Sequence, residues 1–197
     1  MIAGLGWRGN VRIGPRSSGD RARNVAPVNV QSQDVELVRA AIDVAAVGLA
    51  AGELPIGAVV ALDGKVVASA HTAERASGRL LVHADLLALQ TADELRLPVG
   101  DRRRLVFAAN LEPCLMCLGA AMSAMVGTVL YALDSPSDGA VALAGGWDRR
   151  AGDFPAYRLP AIRGGILAEA SRALFAEYVR RFPDRGGFTA WAATLAD

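Results

Sequence analysis

Residues 105–133, LVFAANLEPCLMCLGAAMSAMVGTVLYAL, decide how this chain folds. Leu105 to Ala109 is an apolar run of strand length, and Thr128 to Leu133 is a second. Between them, Asn110 to Pro113 reads as a short loop and Cys114 to Met125 as a helix. Two strands separated by a helix cannot close as a hairpin. The chain must cross over, and the strands then pair in parallel.

Upstream, the pattern is antiparallel. Ile56 to Leu62 and Val66 to Ala70 flank Asp63-Gly64, a hairpin turn signal. Before them, Asp34 is the expected cap of a helix running to about Ala51, with Leu37, Val38, Ala41, Ile42, Ala45 and Leu49 at helical spacing and Gly52 as its stop. Residues 72–82 read as a loop, and Ala84 to Leu97 as a helix closed by Pro98. Downstream, residues 134–165 are rich in Gly and Pro and carry Trp147, Phe154 and Tyr157; Ile166 to Phe182 is a last amphipathic helix. The resulting order is helix, hairpin, helix, strand, helix, strand, helix. It predicts an α/β chain with a three-layer α/β/α arrangement around a mixed sheet.

The predicted domain covers residues 34–182. Residues 1–33, with five arginines against one acid and no hydrophobic period, read as a disordered tail, and residues 183–197 as a C-terminal tail. The chain has 197 residues, 52% of them hydrophobic, with 21 basic against 20 acidic side chains. A net charge of +1 excludes a broad polybasic surface. The predicted domain carries 15 basic and 17 acidic residues, a net of −2, and Lys65 is the sole lysine. Nucleic-acid binding, which needs clustered cations on phosphates, is therefore not expected. No apolar run approaches the ~20 residues of a membrane span. There is no signal-peptide pattern, and two cysteines are too few for a disulfide scaffold. The expected location is the cytoplasm.

Those two cysteines carry the chemistry. Pro113-Cys114-Leu115-Met116-Cys117 sets a C-x-x-C at a strand-to-helix junction, where the helix N-terminus favours thiolates. His83 opens the preceding helix, 31 residues before Cys114. A His-Cys-Cys set suits zinc and leaves one of four tetrahedral positions open, as catalytic zinc sites do. A redox dithiol is the rival reading, although such a motif usually follows the first strand of a βαβ unit.

His83-Ala84-Asp85 followed by Leu111-Glu112-Pro113-Cys114-Leu115-Met116-Cys117 resembles the cytidine and deoxycytidylate deaminase superfamily, nearest its tRNA-adenosine deaminase and guanine deaminase branch. Glu53-Leu54-Pro55-Ile56-Gly57-Ala58-Val59-Val60 and Gly164-Gly165-Ile166-Leu167-Ala168-Glu169 add to the likeness, which spans about residues 34–182. The resemblance implies a cytidine-deaminase-like fold and a homodimer. It implies Zn2+ held by His83, Cys114 and Cys117, with the Cys114 backbone N–H assisting the reacting oxygen. It makes Asp85 the proton carrier. That position is a glutamate in the family, and aspartate sets the carboxylate about 1.5 Å further back. Thr72 stands where the family commonly has a substrate-binding asparagine. Trp147 and Phe154 are candidate walls of the substrate pocket, or else hydrophobic anchors of their loop. Glu112 is expected to be a structural hydrogen-bonder beside the site.

The expected function is zinc-dependent hydrolytic deamination of a small amino-heterocycle: a nucleobase, a nucleoside or a secondary-metabolite intermediate. Two alternatives stand beside it. One is a catalytically impaired zinc-binding homologue serving as a partner subunit; the other is a tRNA adenosine deaminase.

Overall fold

Alternating side chains along the central strands divide the core between two faces of one sheet. The computed structural model describes residues 30–147 and 158–197. Strands β1 (Gly57–Leu62) and β2 (Lys65–His71) form the expected antiparallel hairpin. Its turn residues Asp63 and Gly64 have φ of 50° and 79°. Both are left-handed, as the favoured two-residue hairpin turn requires. β1 pairs antiparallel on its other edge with β3 (Leu105–Leu111), and β3 pairs parallel with β4 (Thr128–Leu133), Phe107 lying opposite Val129. A fifth strand, β5 (Ala161–Arg163), extends the sheet parallel to β4, giving the order β2-β1-β3-β4-β5. The sequence reading did not include β5, because three residues ending in arginine leave no alternation to detect.

Helix α1 (Ser32–Ala50) covers one face. Its Leu37, Val38, Ala41 and Ile42 meet Val59, Ala61, Ala108 and Leu130. Gly57 makes this approach possible, since a Cβ there would strike the backbone of Ala41 and Ala45. Between β2 and β3 lie one helical turn, α2 (Glu74–Ser77), and helix α3 (Ala84–Asp93); α4 (Leu115–Ser123) makes the β3–β4 crossover. α3 and α4 cover the opposite face, where Ala88, Leu89, Leu118 and Ala121 meet Ala58, Val60, Phe107 and Val129. A short α5 (Val141–Ala144) follows β4. Helix α6 (Ala168–Arg181) joins α1 on its face, with Leu174 packed into the same cluster. The fold is the expected three-layer α/β/α arrangement.

Several boundaries differ from the sequence reading: β3 continues through Asn110 and Leu111, the expected loop 72–82 contains α2, and α4 and α6 are shorter than expected. α1 starts at Ser32, so Asp34 lies inside its first turn. Asp34 accepts the Gln31 backbone N–H at 3.1 Å and is gripped by both arms of Arg163 at 2.8 and 2.9 Å. α3 stops at Asp93, because the chain then turns tightly and Arg96 takes a left-handed φ of 51°. Residues 183–197 are not a loose tail: Gly187–Ala196 form helix α7, whose Ala192 and Leu195 are buried against Phe175 and Tyr178 of α6. Residues 1–29, Phe154 and Tyr157 lie outside the described residues. Among the described residues, no helix is long and apolar enough to cross a membrane.

Candidate active site

Two helix N-termini converge at the C-terminal end of β3. His83 is the N-cap of α3 and Cys114 the N-cap of α4; both are extended, and both carbonyls accept the first helical hydrogen bond, from Leu87 at 3.1 Å and Leu118 at 2.9 Å. Cys117 lies one turn into α4 and is buried. This geometry brings His83 Nδ1 to 3.8 Å from Cys114 Sγ and 3.5 Å from Cys117 Sγ. One donor atom from each of the three residues lies within 4.8 Å of the others, the spread expected around a single ion. Nδ1, rather than Nε2, faces the sulfurs.

The electrostatics suit a cation. The hydrogen bond to Cys117, and behind it His83, pulls the Cys114 thiol down to about 4, so this sulfur is a thiolate. The Cys117 thiol is pushed up, because it holds the shared proton and is buried. His83 is raised by its hydrogen bond to Cys114. One imidazole nitrogen and two thiols, already competing for protons at one point, are the donor set of a zinc site.

Asp85, in the first turn of α3, is only 6% exposed, and its Oδ1 has no hydrogen-bond partner among the described residues. Burial pushes its carboxyl up to about 7, offset in part by a hydrogen bond from Cys117. A buried carboxylate oxygen without a partner is costly unless a ligand or water completes it. Asp85 faces a cleft of about 40 Å³ that also touches Thr72, Glu74, His83, Cys114 and Trp191. The cleft opens into an outer cavity of about 580 Å³, walled by Leu54, Ile56, Arg185, Phe188 and Trp191.

The other expected site residues fall in different places. Thr72 is buried in the cleft wall, and its single hydroxyl proton is shared between Val82 O and Glu74 Oε2, each at 3.2 Å. Glu112 has the structural part expected of it. Its Oε2 accepts Ser135 N–H at 3.0 Å and its Oε1 accepts Val141 N–H at 2.9 Å, pinning the loop after β4. Gly139 must be glycine, because a Cβ would occupy the place of that carboxylate. Trp147 follows α5, is 39% exposed and does not line either cavity. Phe154 lies outside the described residues.

Two contributors are absent from the sequence reading. Trp191 of α7 walls both cavities, held by its indole N–H to Ser137 Oγ at 3.0 Å and by an edge-on contact with Phe175. The spacing of Phe188, Ala192 and Leu195 is helical and was the available signal. Glu74 of α2 also lines both cavities, from a segment with no hydrophobic period at all.

A mixed sheet with a His-Cys-Cys cluster and a buried carboxylate at the end of its parallel strands defines the zinc-deaminase class. Residues 31–133 match the cytidine and deoxycytidylate deaminase zinc-binding region, and the chain belongs to that family. Zinc is its cofactor, with His83, Cys114 and Cys117 as the candidate ligands. Among its relatives, a tRNA(Ile)-lysidine synthase of Deinococcus radiodurans is 39% identical over 138 residues, which cover 67% of this chain. This chain spans only 23% of that relative's length. A tRNA-specific adenosine deaminase of Bacillus subtilis is 33% identical over 110 residues, covering 55% of this chain and 66% of the relative. Among solved structures, one from a study of A-to-I editing by tRNA:A34 deaminases superposes with a TM-score of 0.57. It is 27% identical and covers 71% of this chain and 98% of its own.

Proposed function

We propose that this protein is a zinc-dependent hydrolytic deaminase acting on a small amino-heterocycle in the cytoplasm. The observation that carries this reading is Asp85 Oδ1, buried without a hydrogen-bond partner among the described residues, in the cleft that His83 and Cys114 also line. His83, Cys114 and Cys117 would hold zinc, which would supply Lewis acidity for activating water near neutral pH. The chain supplies the proton traffic. Asp85 accepts a proton from water as its oxygen bonds to the ring carbon bearing the amino group, and delivers it to the adjacent ring nitrogen. It then carries the second water proton to the amine, the C–N bond breaks, and ammonia leaves a carbonyl behind. The Cys114 N–H, at the start of α4, donates to the oxygen added to the ring carbon.

The cleft favours a compact, planar substrate. Its outer cavity is walled by Leu54, Ile56, Phe188 and Trp191, by His83, Glu74 and Asp138, and by Arg185, whose guanidinium is already bonded to Gly52 O and stacked on Phe182. Thr72 contributes hydroxyl lone pairs at the inner wall. The two free thiols suit a reducing compartment.

A second reading, deamination of adenosine within tRNA, is favoured by the likeness to the Bacillus subtilis tRNA-specific enzyme. The test is ammonia release by the zinc-loaded protein from a panel of free bases, nucleosides and a tRNA anticodon stem-loop. Turnover of a base or nucleoside supports the first reading. Turnover confined to the stem-loop replaces it with the second. Stoichiometric zinc with no turnover on any member would reassign the chain to a supporting subunit.

A further inference from the structure

The imidazole of His83 has two faces, and only one of them looks at the sulfurs. On the opposite side, His83 Nε2 lies 3.6 Å from Glu74 Oε1. With Nδ1 directed at the cation position, the ring proton belongs on Nε2, facing that carboxylate. The pair is partly shielded, with side-chain exposures of 30% and 16% for His83 and Glu74. We propose that Glu74 is the positioning residue of the zinc centre: it fixes the tautomer and orientation of His83 and raises the basicity of Nδ1 as a ligand. A metal-bound histidine whose second nitrogen faces a carboxylate is held in this way, and loss of the carboxylate weakens the metal. The inference rests on His83 being a zinc ligand.

The local structure is built to hold Glu74 in place. After β2, Thr72 N–H bonds to Ile56 O at 3.0 Å and Ala73 N–H to Val82 O at 3.1 Å, so the chain runs beside the residue preceding His83. α2 has no side-chain cap of its own. Its free N–H groups are taken by Glu53, buried to 2% exposure, whose carboxylate accepts Arg75 N–H at 3.0 Å and Ala76 N–H at 2.7 Å. Arg75 ties the same turn to the end of α1, through Gly52 O at 2.8 Å and Ala51 O at 3.2 Å. Finally, the Thr72 hydroxyl donates to Glu74 Oε2, which leaves Oε1 for His83. Thr72 thus acts on the centre through Glu74, whatever it does to substrate.

The experiment compares zinc Kd for the wild type, Glu74→Ala, Glu74→Gln and Arg75→Ala by competition with a chromophoric chelator. The visible spectrum of each cobalt-substituted protein and the melting temperature without metal are recorded alongside. Glu74→Ala is expected to weaken zinc about 10- to 100-fold and to shift the cobalt bands. Glu74→Gln keeps an amide oxygen for Nε2–H and should lose less. Arg75→Ala, which loosens α2 but keeps the carboxylate, should hold zinc within about threefold of wild type. Zinc Kd for Glu74→Ala within twofold of wild type overturns the proposal. So does an equal loss in Arg75→Ala, which would make the effect one of packing. A wild-type protein that binds no zinc overturns it together with the reading of His83 as a ligand, whereas the first two results leave that reading intact.

Discussion

At the scale of single residues, the proposed mechanism rests on Asp85. Its carboxylate is set back by about one bond length from where a glutamate would reach, and a displacement of ~1 Å can cost about 100-fold in rate. The structure offers compensation in burial: an oxygen with no partner among the described residues and a carboxyl raised to about 7 remain poised for proton exchange. Asp85→Asn should therefore lower turnover by ~10²–10⁴ while zinc stays bound; equal rates for variant and wild type would remove Asp85 from the mechanism. Cys114→Ser should lose the metal, which elemental analysis of protein purified without chelator would show. A residue the sequence reading drew little from, Asn110, proves to be the polar hub beneath the site. Its Oδ1 accepts Gly57 N–H at 2.8 Å, and its Nδ2 donates to Pro55 O at 2.8 Å and to Ser171 Oγ at 2.9 Å. Asn110→Ala strands these buried groups, each worth ~1–3 kcal/mol. A melting temperature lowered by more than about 5 °C is the expected result.

At the scale of elements, α7 is what turns a metal cluster into a bounded cleft. Its Trp191 faces the cavities on one side and the Phe175 ring on the other, with ring centroids 6.0 Å apart at 82°. Trp191 walls the cavities and carries no acid or base of its own, so Trp191→Ala should raise KM on a confirmed substrate several-fold more than it lowers kcat. A fall in kcat alone would place this side chain in the chemistry instead. The contrast between α7 and α4 shows what the sequence could disclose. His83, Cys114 and Cys117 were legible because ligand chemistry restricts residue type and because both helix starts carry their ligands at fixed local spacing. The β3–α4–β4 crossover was legible because strand and helix differ in hydrophobic period. Trp191 and Glu74 were not, since each acts through a partner distant in sequence: Ser137 for the first, 54 residues away, and Glu53 for the second, through the turn it caps. β5 was not legible for a related reason, since its place is set by the β4 edge it joins rather than by its own three residues.

At the scale of the whole molecule, the face formed by α3 and α4 remains apolar where it meets solvent. Leu115 of α4 is 66% exposed, and a groove of about 270 Å³ lies between Leu86 and Leu89 of α3 and Ala120 and Ser123 of α4. Leu115, Gly119 and Ser123 recur every fourth residue, so they form one stripe along α4. Such a surface is expected to be covered by a second copy of the chain, which would place the interface directly beside the candidate ligands Cys114 and Cys117. Gly119 gives a clean probe, because a Cβ added there meets nothing within 4 Å among the described residues. Gly119→Arg should even favour the helix by several tenths of a kcal/mol, while setting a long cation against its symmetry mate. Light scattering at micromolar concentration should find the wild type as a dimer and Gly119→Arg as a monomer with an undiminished melting temperature. A monomeric wild type would show that this stripe serves no self-association, and a dimeric Gly119→Arg would move the interface to another face.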